Sequence, residues 1–159
     1  MYQHNLGKHF SHIVKQNKDR VALYYSESRK YTYSQLDEMS DQLAVYLLNM
    51  KVEKYDVIGI FNTKEKESYA LMIACLKIGA VYVNLDITSP QERLSKILNR
   101  CQPKYLFYDT IEFSEKAGMF TAKSIFSGTE EIWEVDFKSK IDDLAEREKS
   151  VCADNPSYI

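Results

Sequence analysis

The sequence predicts an α/β fold, a mostly parallel sheet with flanking helices, and three observations carry that expectation. Helical and strand periodicities alternate between residues 34 and 108. The short runs Val57-Ile58-Gly59-Ile60-Phe61 and Val81-Tyr82-Val83-Asn84-Leu85 are almost wholly apolar, which suits strands covered on both faces. Helix-stop and helix-start residues, Gly79 and the pair Ser89-Pro90, fall at the boundaries. Strand, helix, strand, helix, strand in that order implies right-handed crossovers between parallel strands.

The elements follow in chain order. Phe10, Ile13 and Val14 lie on a short helix. Residues 21–25 and 30–33 read as two strands joined through Ser26-Glu27-Ser28-Arg29, an antiparallel hairpin expected at the sheet edge. Leu36, Met39, Leu43, Leu47 and Met50 then recur at spacings of three and four, a helix for which Ser34 is the expected cap, with Asp37 at the third position. Residues 57–61 make a central parallel strand. Residues 67–78 form a helix apolar almost all round, from Tyr69 and Leu71 to Leu76 and Ile78, so it is wedged between the sheet and another element. Gly79 closes it, and residues 81–85 are the next strand.

Ser89 as N-cap, Pro90 at the first helical position and Glu92 as partner make an expected capping box. Leu94, Ile97, Leu98 and Cys101 form that helix's buried stripe, and Tyr105-Leu106-Phe107-Tyr108 is a further strand. Residues 110–129 are less periodic. Trp133, Val135 and Phe137 alternate with Glu134 and Asp136, the pattern of a half-buried strand, and residues 139–148 read as a charged helix. The sequence closes on Asp154-Asn155-Pro156-Ser157-Tyr158-Ile159, a turn opening into another strand.

Composition narrows the class. With 159 residues, 45% hydrophobic and 28% charged, a single domain over residues 1–159 is expected. A net charge of -2 with both signs interspersed speaks against nucleic acid as a partner. The three cysteines, Cys75, Cys101 and Cys152, are odd in number and far apart, so neither a disulfide framework nor a zinc site is suggested and a reducing cytoplasm fits. The N-terminus has no signal pattern, and the longest apolar stretch, residues 69–83, is broken by Lys77 and shorter than the roughly 20 residues of a membrane helix.

Specific motifs carry a resemblance. Tyr31-Thr32-Tyr33-Ser34-Gln35-Leu36 resembles the L[TS]YxEL core motif of adenylate-forming (AMP-binding) enzymes, most closely the amino-acid adenylation domains of nonribosomal peptide synthetases. Leu76-Lys77-Ile78-Gly79-Ala80-Val81-Tyr82-Val83-Asn84-Leu85-Asp86 resembles their LKAGxAYVPxDP motif, and Pro90-Gln91-Glu92-Arg93-Leu94 with Ile97-Leu98 the PxERLxxIL helix after it. Phe10 with Arg20-Val21-Ala22-Leu23 is similar to the family's opening pattern, and Asn155-Pro156-Ser157-Tyr158-Ile159 to the lead-in to its TSG[TS]TGxPKG loop. Asn84 and Ile87 replace prolines of the pattern, and Tyr31 and Gln35 replace its leucine and glutamate.

The resemblance implies the N-terminal subdomain of the adenylate-forming fold, part of a larger adenylation domain truncated before its phosphate-binding loop. The parent would be an ATP-dependent, carboxylate-activating ligase that makes an aminoacyl-AMP and loads it on the phosphopantetheine thiol of a carrier protein. ATP and magnesium belong to that parent. Such chemistry needs backbone N–H groups around the phosphates and a metal ion, and the five glycines, Gly7, Gly59, Gly79, Gly118 and Gly128, are too scattered to make a phosphate cradle. No catalytic, cofactor-binding or metal-ligating residue is therefore assigned, and the fragment alone is expected to be inactive, its partners being the rest of the adenylation domain and, for the parent, the carrier protein. The alternatives are a fragment of an acyl-CoA ligase for an aryl or fatty acid, and a non-enzymatic truncated scaffold or interaction module. An unrelated doubly wound nucleotide-binding domain would need a glycine-rich turn where Phe61-Asn62-Thr63-Lys64 stands.

Several residues invite a functional role. His9 and His12 are three apart on a helix with no third ligand at hand, and His4 precedes ordered structure. Cys75 falls in an apolar helix where a thiol is inert. The twelve tyrosines fall mostly in strands, as packing residues. Ser127-Gly128-Thr129 reads as a plain turn. Asp86 is expected to hydrogen-bond local backbone in the turn before Ser89.

Overall fold

Asn5 opens the first helix by accepting the backbone N–H of Lys8 on its side-chain oxygen, and α1 (Leu6–Asn17) follows. The computed structural model describes residues 5–108, 123–126, 130–134, 136 and 138–151. The strands β1 (Val21–Ser26) and β2 (Arg29–Thr32) pair antiparallel, with Leu23 opposite Tyr31 and Tyr24 opposite Lys30. They form a two-stranded sheet of their own, which corrects the expected place at the edge of the parallel sheet. The chain passes from Thr32 straight into α2 (Tyr33–Asn49), so the hairpin is held against the helix layer with no linker to carry it to the sheet.

Thr32, not Ser34, caps α2. Its hydroxyl accepts the Gln35 N–H at 3.2 Å while the Gln35 side chain accepts the Thr32 N–H at 2.9 Å, a reciprocal capping box. Ser34 lies inside the first turn, its own N–H donated to the Lys18 carbonyl. Thr32 wins because Gln35, three residues on, can return the bond.

Four parallel strands follow, β3 (Val57–Phe61), β4 (Val81–Leu85), β5 (Tyr105–Tyr108) and β6 (Lys123–Phe126), in the spatial order β4-β3-β5-β6. Gly59 lies beside Val83 on one side and Leu106 on the other, so β3 is central as expected. A Cβ on Gly59 would come within 2.4 Å of Leu106 Cδ2, and glycine is what lets that leucine seat against β3. β6, paired with β5, falls in the stretch of weak periodicity and was not anticipated.

The helix α3 (Lys66–Ile78) ends at Gly79 in the left-handed conformation, φ 76° and ψ 21°, as its sequence predicts. The helix α4 (Gln91–Cys101) starts one residue later than expected. Extended Pro90 is itself the N-cap, no side chain caps it, and Ser89 instead donates its N–H to the Asp86 carbonyl. Glu92 pairs with Lys96 one turn on at 2.6 Å, so the expected capping box is not made. The short helix α5 (Glu130–Trp133) stands where Trp133 was expected to begin a strand; Ile132, buried completely, fixes it in the core. Val135 and Phe137 lie outside the described residues. A 3-10 turn, Lys138–Lys140, leads into α6 (Ile141–Lys149), close to the charged helix expected over residues 139–148.

The sheet has a layer on each face. Ile58, Ile60 and Phe107 point to the helix side shared by Leu43, Leu47, Leu71, Ile78, Ile132 and Leu144. Phe61, Val83, Leu85 and Leu106 point to the other, where Leu94 and Leu98 of α4 meet them. Each such fully buried aliphatic or aromatic side chain contributes about 2 kcal/mol. Among the described residues no helix is long and apolar enough to cross a membrane.

Candidate functional site

The strand order reverses between β3 and β5. From β3 the chain crosses to β4 on one side, whereas β5, on the other side of β3, has β6 as its outer neighbour. The crevice outside the carboxyl ends at such a switch point is where open α/β sheets take ligands. Here it is formed by Ile60 and Phe61 of β3, Phe107 and Tyr108 of β5, Glu67, Ser68 and Leu71 of α3, and Leu43 of α2, around ≈ 230 Å³ open to solvent.

The loop between β3 and α3 borders this crevice and is held by its neighbours. Asn62 bridges to Asn84 at 3.3 Å across the ends of β3 and β4, and accepts the Lys64 N–H at 2.7 Å. Lys64 adopts the left-handed conformation, φ 69°. From the hairpin, the Tyr25 hydroxyl donates to the Lys64 carbonyl at 2.7 Å and the Arg29 guanidinium pairs with Glu65 at 2.6 Å. Arg29 also lies 5.0 Å from the Tyr25 ring centre, and the Lys66 ammonium 5.4 Å from that of Tyr31. Burial, with the Glu65 charge beside it, pushes the Tyr25 phenol up to about 12.

The crevice does not fit a nucleoside triphosphate. Its lining is chiefly apolar, and among the described residues none of the lining side chains is a cation that would meet phosphate charge.

A second cleft surrounds Lys77, which is 2% exposed. Its ammonium donates to Asp37 at 2.7 Å, Asp41 at 2.6 Å and the Ser40 hydroxyl at 2.7 Å. The cation also lies 5.9 Å from the Phe10 ring centre, so α1, α2 and α3 meet there. Sequence reasoning placed Lys77 in a motif and gave it no role. The readable signal was a charge inside an apolar helix, with two aspartates four apart on α2.

The other residues singled out in the sequence are not brought together. His9 and His12 lie on α1, where His12 Nε2 is 3.0 Å from the Gln16 amide nitrogen. Among the described residues no three His, Cys, Asp or Glu side chains are grouped to hold a metal ion. Cys75 is fully buried, and that burial pushes its thiol up to about 12. Asp86 accepts the Thr88 N–H and hydroxyl, both at 2.8 Å, the local turn expected of it, and those bonds hold its carboxyl below the usual range. His4, Cys152 and Ser127-Gly128-Thr129 lie outside the described residues.

A parallel sheet with this order, beside a hairpin whose second strand runs into a capped helix, defines an α/β domain with a crevice at its carboxyl edge. The chain belongs to the AMP-binding enzyme family, whose model matches residues 10–159. It is similar to bacitracin synthase 1 of Bacillus licheniformis, 32% identical over 136 residues, spanning 86% of this chain and 2% of that protein. It superposes on NpsA-ThdA, an artificially fused adenylation-PCP di-domain NRPS from Klebsiella oxytoca, with TM-score 0.77 and 26% identity over 99% of this chain and 28% of that one. The Klebsiella oxytoca NpsA N-terminal subdomain in complex with 3-hydroxyanthranilyl-AMSN matches with TM-score 0.76 and 25% identity over 99% of this chain and 38% of that one. The chain thus spans a small part of these relatives.

Proposed function

We propose that this chain is the N-terminal part of an adenylation domain whose whole protein uses ATP, with magnesium, to activate an amino acid as its aminoacyl-AMP and passes it to a carrier-protein thiol in the cytoplasm. The observation that carries the reading is the family match over residues 10–159, next to a coverage of 28% of the NpsA-ThdA chain. When bound, ATP supplies the α-phosphate that the carboxylate attacks, with pyrophosphate leaving. This chain's own part is structural: the crevice between β3 and β5 gives a largely apolar wall, and the hairpin sets the loop from Asn62 to Glu65 at its rim. The phosphate-binding groups are assigned to the rest of the adenylation domain, and this chain alone is proposed to be inactive.

A second reading, an aryl acid in place of an amino acid, is favoured by the 3-hydroxyanthranilyl group in the NpsA complex. One experiment tests both. ATP–pyrophosphate exchange is measured with pools of amino acids and of aryl acids, on this chain and on the product of the uninterrupted parent gene. Exchange by the longer protein alone is expected, and the stimulating pool names the substrate class. Exchange by the 159-residue chain would overturn the assignment of the phosphate site.

A further inference from the structure

The cleft around Lys77 holds more negative charge than it neutralises. Three carboxylates, Asp37 and Asp41 of α2 and Glu148 of α6, line it together with Ser11 of α1, Leu144 and the single ammonium of Lys77, around ≈ 370 Å³ open to solvent. An ammonium has three N–H donors. Those of Lys77 are taken by Asp37, Asp41 and Ser40. Glu148 is left with a long contact from the Ser11 hydroxyl, 3.5 Å.

The charges facing Glu148 come from each element packed around it: Lys8 of α1, Asp41 of α2 and Lys77 of α3. Asp41 faces Lys77 across the cleft and Asp37 and Glu38 on its own helix. Burial is the first cause that raises both Glu148 and Asp41 above the ordinary carboxylate range; Lys77 pulls both the other way without cancelling it, and the neighbouring carboxylates add to the rise. Other ties of the α6 end run to backbone carbonyls: Asn5 donates to those of Glu148 and Val151, Arg147 to that of Ile78 and Lys54 to that of Ser150.

We propose that the seam between α6 and the helices α2 and α3 is a proton-operated latch, in which Glu148 takes up a proton from solvent to close the seam and releases it to loosen α6. The sign follows from linkage. A carboxyl that binds its proton more tightly in the docked state contributes stability that is full below its ordinary value and is lost as pH rises through the raised one. α6 is therefore held more tightly in mild acid than at neutral or alkaline pH.

The test is amide hydrogen exchange on the full chain at about pH 5 and about pH 8, corrected for the intrinsic exchange rate, with β3 amides as internal reference. The amides of α6 are expected to lose protection relative to β3 on going to the higher pH. Glu148→Gln should abolish that loss. Equal protection of α6 at both pH values, or a loss that persists in Glu148→Gln, overturns the proposal. If the variant does not fold, the carboxyl carbon of Glu148 in the unsubstituted chain decides: a midpoint above that of an ordinary glutamate supports the latch, and one at or below it overturns it.

Discussion

The Lys77 ammonium lies 2.6 Å from Asp41 and 2.7 Å from Asp37, so one buried cation on α3 is clamped by two carboxylates a helical turn apart on α2. Taking these charges out of water carries a large desolvation penalty that only complete hydrogen bonding offsets, and removing one partner leaves the others exposed to it. The clamp fixes the register of α2 against α3, the pair that covers most of the sheet's helix-side face.

Lys77→Met keeps the aliphatic stem and removes the charge. It is expected to lower the unfolding free energy by about 3 kcal/mol, read from the midpoint of urea denaturation at neutral pH. Adding Asp41→Asn to that variant should recover part of the loss, because one fewer carboxylate is left unpaired. A single-variant loss of a few tenths of a kcal/mol, typical of surface pairs, would show that the clamp is not a buried interaction.

Gly79→Ala tests the end of α3. Alanine in the left-handed conformation costs about 1–2 kcal/mol, and its Cβ would also come 2.9 Å from Val151 Cγ2. The melting temperature should fall by about 2–4 °C for each kcal/mol lost. An unchanged melting temperature would mean that this turn relaxes into another conformation.

Alkylation separates the cysteines. Cys75 is buried with its thiol pushed up to about 12, whereas Cys101 is half-buried at the end of α4. With iodoacetamide at mild alkaline pH, peptide mass spectrometry should find Cys101 modified first and Cys75 only after denaturation. Early labelling of Cys75 would place α3 elsewhere than between the sheet and α2.

The hydroxyl of Tyr25 gives a pH dependence at the alkaline end. With the phenol raised from 10.0 to about 12, the folded chain holds its proton more tightly than the unfolded one. Its contribution to stability is full below 10.0 and disappears as pH rises through about 12. Difference absorbance of the unsubstituted chain against Tyr25→Phe should show one phenol titrating late, and the alkaline loss of stability should be smaller in the variant. A midpoint for that phenol near 10.0 contradicts its burial beside Glu65.

The order of strands and helices was legible because local chemistry marks each boundary. Gly79 takes the left-handed region, and β3 is apolar on both faces because side chains of the helices cover both sides of the sheet there. Caps were harder to place. Thr32 and Ser34 compete for one helix start, each with a polar residue three positions on, and the side-chain amide of Gln35 decides for Thr32. β6 was illegible because a four-residue edge strand carries too little pattern. Of the candidate sites, Asp86 was read correctly from its turn, since its partners lie two residues away. The Lys77 clamp was missed because its partners are 36 and 40 residues distant, a pairing created by helix packing alone.

The order β4-β3-β5-β6 also sets how quickly this sheet can assemble. β3 and β4 are joined by one helix and can close as a local unit, but β5 must pass β4 and α4 to reach the opposite edge of β3, with Ile58 meeting Tyr105. Loop closure of that span precedes any reward from pairing, so the rate-limiting ensemble is expected to contain β3, α3 and β4. Trimming Ile60 to valine is then expected to slow refolding, while changes in β6 chiefly speed unfolding, and a chevron analysis separates the two.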